Sequence, residues 1–303
     1  YTQYQNGPMH RQTRDGNDVV SINPSGGTRQ LFVNPIALDP NNSSILYYGG
    51  GYSGSPSMIT GLWRNDNIIN SSATTGWSRL TATDFGSVTG WTRRVSTIAV
   101  SKKNNANVVY VGTTDGLMKR VDSASTSPVA TDITPPGLNG GTAQGGFVRG
   151  IAIDPLNSNR ALAAFGNYNF QNLWLTTNGG TSWVDVEGNL AGPDGPSVRW
   201  ATMIYSGSDL HVFIGTSIGL LMTERLQGDS TLWVHAAANE IGNVLIAYMD
   251  YRESDRTLAV GTHGRGVFTT TYPLTPVDVK PEPAAPLAYI LHQNYPNPFN
   301  PAT

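Results

Sequence analysis

The chain has 303 residues, a formal net charge of −2 and no cysteine. Hydrophobic residues make up 39% of it, enough to fill the core of one large domain or two ordinary ones, while charged residues make up only 13%. The near-neutral charge argues against nucleic acid as a partner, and the absence of cysteine excludes disulfides, thiolate metal sites and a cysteine nucleophile. No apolar run approaches the roughly 18 residues of a membrane span, so no span is predicted.

From the N-terminus, residues 1–35 contain two short apolar stretches, 19–22 and 29–33, which predict strands. After them one pattern recurs five times: an apolar strand, a polar turn, a second apolar strand that ends in glycine, and a third short strand. The second strands end at Gly49, Gly112, Gly166, Gly215 and Gly261. A spacing of about fifty residues is typical of repeat architectures. Residues 1–35 are interpreted as part of a sixth copy.

The repeat predicts the fold class. One four-stranded sheet cannot bury both of its faces alone, whereas a stack of such sheets can. We therefore predict an all-β protein, a β-propeller of four-stranded antiparallel blades, in preference to a β-sandwich. Ile98, Ile151 and Ile204 are predicted to lie on innermost strands. The tryptophans of the third and fourth strands are predicted to pack within or between blades: Trp63, Trp77, Trp174, Trp183 and Trp233.

A turn in the third clear repeat carries a family resemblance. Its residues Thr176, Asn178, Gly180, Ser182 and Trp183 resemble the Asp-box, with Asn178 where aspartate is usual and Ser182 where threonine is usual. Residues 261–268 are similar to the last-blade turn of secreted Asp-box (BNR-like) propellers of the sortilin and xyloglucanase kind. The resemblance covers residues 36–272 and implies a fold, not a reaction. On this resemblance, residues 1–273 form the propeller. It also implies that further blades precede them, with seven or more in the full protein.

The composition changes after Tyr272. Residues 274–290 are rich in proline, which predicts a semi-extended linker. Residues 291–303 resemble the opening of the type IX secretion C-terminal sorting domain of Bacteroidetes, cut short after its first motif: Tyr295, Pro296, Asn297, Pro298, Phe299, Asn300 and Pro301. This resemblance implies export through the outer membrane by the type IX machinery, and an extracellular or cell-surface location.

Catalytic motifs are absent from the sequence. It has no His-Glu-x-x-His, Gly-x-Ser-x-Gly or phosphate-binding loop, and the catalytic residues are left unassigned. The candidate carboxylates are interpreted as turn or surface residues: Asp84, Asp115, Asp185 and Asp194. We expect no cofactor and no metal, with calcium at the Asp39 and Asp154 turns as the alternative. His263, in a glycine-rich turn, is interpreted as structural.

Arginines near the first strands suggest a binding site. Arg94, Arg149 and Arg199 each lie close to the start of a first strand, and Trp200 follows Arg199. Guanidinium groups bind carboxylates and an indole offers a face for stacking a sugar, so we predict a site for an acidic glycan or an acidic protein loop. The alternative is that each arginine pairs with a carboxylate of a neighbouring blade.

Two function classes follow. The first is a secreted or cell-surface, non-catalytic propeller module that binds glycan or protein or serves extracellular assembly. The second is a glycoside hydrolase acting on polysaccharide, with catalytic carboxylates partly outside this chain. We favour the first.

Overall fold

The computed structural model describes residues 1–3, 9–13, 15–17, 19–25, 27–28, 31–52, 59–72, 75–86, 93–103, 107–138, 146–272 and 292–293. These residues form 24 short β-strands. They also form three single-turn 3₁₀ helices, at Thr81–Thr83, Gly188–Leu190 and Gly228–Ser230. The protein is therefore all-β, as predicted.

The strands assemble into six sheets. The first contains β1 (Thr2–Gln3), β2 (Met9–Gln12) and β3 (Val19–Ser21). In the second, β4 (Gly27–Thr28) and β5 (Ile36–Asp39) share one edge of β6 (Asn42–Tyr52), followed by β7 (Ile59–Asn65) and β8 (Trp77–Leu80). The third contains β9 (Val95–Val100), β10 (Val109–Thr113), β11 (Met118–Asp122) and β12 (Val129–Asp132).

The last three sheets keep sequence order across the sheet. The fourth contains β13 (Val148–Asp154), β14 (Asn157–Phe165), β15 (Leu173–Thr176) and β16 (Val184–Asp185). The fifth contains β17 (Val198–Ser206), β18 (Asp209–Thr216), β19 (Gly219–Thr223) and β20 (Val234–His235). The sixth contains β21 (Ile246–Arg252), β22 (Thr257–Thr262), β23 (Val267–Thr271) and β24 (His292–Gln293). The fold is a six-bladed β-propeller of mostly four-stranded antiparallel blades, which confirms the predicted class.

The chain divides into two compact units. The first unit is Tyr1–Ala163 with Thr176–Trp183, and the second is Ala164–Leu175 with Val184–Thr303. In the first unit, strand β9 contacts the first strands β5 and β13 of the neighbouring sheets; in the second unit, β17 contacts β21. Ile98, Ile151 and Ile204 lie on such first strands, each at the edge of its sheet, as predicted.

In at least two of the repeats, the glycine near the end of the second strand packs closely against the next sheet. A Cβ atom on Gly112 would lie 2.5 Å from Val148 Cγ1, and one on Gly215 would lie 2.8 Å from Ile246 Cγ2. Val148 and Ile246 are each the first residue of the first strand of the next sheet. Only glycine lets the branched side chain approach so closely, because carbon atoms pack at about 3.5–4.0 Å. Gly112 and Gly215 are thus contacts between consecutive sheets.

The tryptophans behave largely as predicted. Four of the five are buried: Trp63, Trp174, Trp183 and Trp233. Trp77 is half-buried, packs edge-on against Tyr48 with ring centroids 6.0 Å apart, and lies on β8. Trp183 and Trp233 lie one residue before their fourth strands.

The strand predicted at 29–33 does not form at residues 31–33. The backbone N–H of Leu31 donates to the Asn34 side chain over 2.8 Å, so this stretch forms a local polar turn rather than a sheet ladder. Phe32 and Val33 are consequently exposed. The strand predicted at 19–22 does form, as β3.

The C-terminal region is described at one place. Strand β24 pairs with β23, with Gln293 opposite Phe268 and His292 opposite Thr269. The predicted linker, 274–290, and the sorting motif at Tyr295–Pro301 lie outside the described residues. The linker and sorting module therefore stay predictions.

Candidate functional site

An aromatic pair lies at the start of two neighbouring first strands in the second unit. The rings of Trp200 on β17 and Tyr248 on β21 have centroids 4.2 Å apart and planes inclined at 41°. Trp200 is half-buried, and Tyr248 is 52% exposed although it is a large aromatic residue. We call these two residues the aromatic pair.

Two β-bulges place the aromatic pair. The register of β17 shifts between Val198 and Trp200, and that of β21 shifts between Ile246 and Tyr248. A bulge re-aims the side chains that follow it. After the shift, Trp200 lies opposite Gly215 and Tyr248 lies opposite Gly261, so no side chain stands across the strand from either ring. The same glycine repeat that packs the sheets therefore also leaves room for the two rings.

Charged groups of both signs lie beside the aromatic pair in sequence. Arg199 occupies the bulge of β17 and is half-buried, and its Nε atom has no hydrogen-bond partner among the described residues. Asp250 is exposed on β21. Burial, and then the negative charge of Asp250, raise the pKa of the Tyr248 phenol. The arrangement offers two ring faces, a guanidinium and a carboxylate.

Sequence reasoning named two of the four residues of this candidate site. It predicted Arg199 and Trp200 but missed Tyr248 and Asp250. The signal was present, because Tyr248 stands in the same relation to Gly261 as Trp200 does to Gly215. It becomes visible only when the bulges are counted in the register.

The other predicted arginines lie in the first unit. Thr114 N donates to Arg94 O over 2.9 Å, and Arg94 N donates to Thr114 Oγ1 over 3.2 Å. Ser197 and Ser217 make the same two bonds, at 2.9 and 3.2 Å. Arg94 is therefore the counterpart of Ser197, two residues earlier than the position of Arg199.

Arg149 has a different position from Arg94. It directly follows Val148 on β13, as Arg199 follows Val198 on β17. Its guanidinium carbon lies 3.9 Å from the centroid of the Phe147 ring. A ligand-binding role for Arg94, Arg149, Arg199 and Trp200 stays a prediction.

Most of the candidate carboxylates have structural partners. The Arg93 guanidinium is buried, donates to Asp115 over 2.8 Å and also donates to Phe85 O. Asp84 forms an ion pair with Arg79. Asp185 accepts from Glu187 N over 2.9 Å and from Gln171 Nε2 over 3.1 Å, and Asp194 is exposed.

Sequence reasoning also missed Glu187. This side chain is 6% exposed, and its Oε1 accepts from the backbone N–H of Asn172. Burial raises its pKa to about 7, and the nearby charge of Asp185 adds to the effect. Asn172 in turn donates to Pro196 O over 3.3 Å, so Glu187 supports a turn between two loops of the second unit.

The turn at 176–183 is densely hydrogen-bonded. Thr176 Oγ1 accepts from Gly180 N over 2.8 Å, and Asn178 Oδ1 accepts from Ser182 N over 3.0 Å. Asn178 Nδ2 donates to Ser182 Oγ over 2.8 Å. Trp183 Nε1 donates to Ile133 O over 2.7 Å, which ties the turn to the preceding sheet.

The two aspartate turns have their expected backbone bonds. Asp39 Oδ1 accepts from Asn41 N, and Asp154 Oδ1 accepts from Leu156 N, each over 2.8 Å. In the part of the chain that the structure describes, no three histidine, aspartate or glutamate side chains are grouped to hold a metal ion. Within the same residues, no helix has the length and apolar character needed to cross a bilayer.

The fold defines the class as a β-propeller protein, an architecture consistent with a binding or scaffold module. No protein-family model matches the chain, and no curated protein matches its sequence. Two solved structures share the fold at a TM-score of 0.50. Raptor from Chaetomium thermophilum is 12% identical over 82% of this chain and 20% of its own length. The Cps50 (Swd1) β-propeller domain from Myceliophteria thermophila is 14% identical, over 86% of this chain and 70% of that one.

A third structure is less similar. The GH74 enzyme of Niastella koreensis is 13% identical with a TM-score of 0.45, over 88% of this chain and 47% of that one. The chain thus spans about a fifth of Raptor and less than half of this enzyme. At these identities the similarities show the fold alone.

Proposed function

We propose that this chain is an extracellular or cell-surface, non-catalytic propeller module that binds an acidic glycan through the aromatic pair and Arg199. One observation carries the proposal: two aromatic rings on adjacent first strands remain partly exposed with centroids 4.2 Å apart, and the half-buried Arg199 directly precedes one of them in the sequence. Buried aromatic rings usually serve a core, whereas exposed ones beside polar groups suit a ligand with an apolar face and polar edges.

The chemistry of the site suits a sugar acid. The rings of Trp200 and Tyr248 offer faces on which the C–H groups of a pyranose ring pack. Arg199 carries a planar guanidinium whose N–H donors suit a carboxylate. Asp250 can accept hydrogen bonds from the hydroxyl groups of a sugar. It repels a ligand that places a negative charge next to it.

The location rests on the two resemblances. The turn at 176–183 is proposed as an Asp-box variant; the bonds of Thr176 and Asn178 to the turn amides support this. Export through the type IX machinery rests on the motif at Tyr295–Pro301. We propose that the type IX machinery binds the C-terminal tail and does not contact the glycan site.

One observation favours the hydrolase alternative. Glu187 has a pKa raised to about 7, which a general acid requires, and lies two residues from Asp185. However, its carboxylate holds the Asn172 backbone and its side chain is only 6% exposed. We therefore favour binding over hydrolysis.

The test uses purified chain and defined polysaccharides. We expect polygalacturonate and alginate to bind, and neutral dextran to bind much more weakly. Tyr248→Ala and Trp200→Ala should each weaken binding about tenfold or more, since an aromatic contact contributes on the order of 1 kcal/mol beyond its buried area. Tyr168→Ala is the matched control, because Tyr168 is another exposed tyrosine of the second unit, at 58%. Equal losses from Tyr168→Ala and Tyr248→Ala would refute the site.

Arg199 separates charge recognition from stacking. Arg199→Gln should lose the preference for polygalacturonate over a neutral polymer while keeping weak, salt-independent binding. Release of reducing sugar from either polymer, abolished by Glu187→Gln, would instead support the hydrolase.

A further inference from the structure

A groove on the fifth sheet has no role in the site above. It has a volume of about 440 Å³ and lies entirely within the second unit. The residues that line the groove are of two kinds. We call the apolar ones, Met222, Leu232 and Val234, the floor. We call the polar ones Glu224, Arg225 and Ser230 the rim. Small-molecule sites have volumes of roughly 300–1,000 Å³ and combine an apolar lining with a few polar groups.

Two of the three floor residues, Leu232 and Val234, are exposed, while Met222 is buried. Met222 on β19 lies opposite Val234 on β20. Leu232 is 62% exposed and Val234 is 48% exposed, while Trp233 between them is buried. Leu232, two residues before Val234 on β20, lines the groove together with it. The groove therefore offers an aliphatic surface on one face of the sheet.

The outer edge of β20 is not the binding element. Trp233 N donates to Asn189 Oδ1 over 2.7 Å, and Asn189 Nδ2 donates to Trp233 O over 3.0 Å. The Asn189 side chain thus occupies the backbone groups that an added strand would need. This contact disfavours an extended peptide and leaves the face of the sheet as the available surface.

The rim carries one charge of each sign. Glu224 Oε1 lies 3.8 Å from His211 Nε2, and the carboxylate is otherwise largely exposed. The Arg225 guanidinium makes no ion pair among the described residues. An anionic ligand alone would be repelled by Glu224, and a cationic ligand alone by Arg225. A zwitterion satisfies both groups.

The loop that carries the rim is held in place by its own hydrogen bonds. Thr223 Oγ1 donates to Arg225 O over 3.0 Å, and Gln227 N donates to Thr231 Oγ1 over 2.9 Å. Thr231 Oγ1 donates to Gly228 O over 2.7 Å. Both threonines are buried, so the loop is preorganised and a ligand has less entropy to offset on binding.

We infer that this groove binds a free aliphatic α-amino acid. Its ammonium group contacts Glu224, its carboxylate contacts Arg225, and its side chain packs on Met222, Leu232 and Val234. The groove lining contains no aromatic ring among the described residues, which distinguishes it from the glycan site at the aromatic pair. The inference does not depend on the glycan proposal.

Three probes divide the ligand into its parts. L-Leucine carries both charges and the side chain, leucinamide lacks the carboxylate, and 4-methylpentanoate lacks the amine. Calorimetric titration of the whole chain should show L-leucine binding at least about tenfold more tightly than either analogue, and glycine binding not measurably. Tenfold corresponds to about 1.4 kcal/mol.

Variants then assign each charge. Glu224→Gln should lower the affinity for L-leucine, which loses its ammonium partner, and raise the affinity for 4-methylpentanoate, whose carboxylate is no longer repelled. Arg225→Gln should likewise lower the affinity for L-leucine, which loses its carboxylate partner, and raise the affinity for leucinamide, whose ammonium group is no longer repelled. Arg252→Gln is the matched control, since it removes an exposed arginine of the same unit whose ion pair with Asp255 lies outside the groove. Arg252→Gln should alter no affinity.

Several outcomes would overturn the inference. If L-leucine binds no more tightly than glycine, the apolar floor does not contribute to binding. Equal losses of all three probes in Glu224→Gln and Arg225→Gln would exclude separate recognition of the two charges. Leu232→Asp guards against misfolding: it should abolish L-leucine binding while the exposed position leaves the melting temperature nearly unchanged, and retained binding would contradict the inference.

Discussion

The indole Nε1 of Trp233 donates a hydrogen bond to the backbone carbonyl of Val186, 2.9 Å away. Trp233 directly precedes the fourth strand of its sheet, and Val186 directly follows the fourth strand of the preceding sheet. Trp183 makes the equivalent bond to Ile133 at 2.7 Å. The repeated tryptophan is therefore a polar connection between consecutive sheets as well as an apolar filler.

Trp233→Phe should destabilise the protein by about 1–3 kcal/mol. The substitution keeps most of the apolar area but leaves the buried Val186 carbonyl without its donor, and such an unsatisfied group costs about that amount. Urea denaturation followed by circular dichroism measures the change. Trp200→Phe is the control, because the Trp200 indole makes no hydrogen bond to another sheet among the described residues. An equal loss in both variants would argue against the bond.

Gly215→Ala should destabilise the protein by about 1–3 kcal/mol, the usual cost of overpacking. The new Cβ atom would lie 2.8 Å from Ile246 Cγ2 and 3.0 Å from Ile246 Cβ. Gly261→Ala is a matched control at the same repeat position, where the nearest atom is Tyr248 O at 3.5 Å. Adding Ile246→Ala to Gly215→Ala should cost less than the sum of the two single changes, as expected for residues in contact. Simple additivity would contradict the clash.

The stability of the protein should fall between about pH 4.5 and pH 7 because of Glu187. Its pKa is raised to about 7 in the folded protein, so the folded state binds more protons than the unfolded state in this window. The stabilising contribution is fully present below the ordinary glutamate pKa and is lost as the pH rises through 7, up to about 3 kcal/mol. Glu187→Gln should flatten this part of the curve and increase stability at pH 8. Denaturation midpoints at several pH values test it, and an unchanged profile would show that the acid is ionised at neutral pH.

The tail should control export separately from folding. A protein truncated after Gln293 loses the motif at Tyr295–Pro301 but keeps β24, whereas truncation after Pro273 loses both. In the native host, we expect both forms to accumulate in the periplasm. Truncation after Pro273 should also lower the melting temperature, because it uncovers the edge of β23 that β24 pairs with. Delivery of either form to the medium at the normal level would contradict the sorting role.

The class of fold and most of its strands could be predicted from the sequence alone. Apolar alternation and the glycine repeat are local properties of the chain, so they identified the first three strands of all five clear copies and the class of fold, but not the fourth strands β12 and β24. The same reasoning failed at residues 31–33, where the apolar pattern is present but Asn34 accepts the Leu31 N–H and replaces the strand ladder with a turn. The Asn34 side chain determined the conformation of this segment. Its effect depends on the position of its oxygen relative to the Leu31 N–H, which the apolar pattern does not show.

Only the tertiary structure decided the candidate sites. Trp200 and Tyr248 meet because β17 and β21 are adjacent and because each strand carries a bulge just before its ring. Arg94 and Arg199 look equivalent in sequence, yet the backbone bonds of Thr114 and Ser217 set them two residues apart in register. A bulge reverses which side chains share a face without altering the repeat, so pairing between distant strands determines the site while local pattern determines the strand.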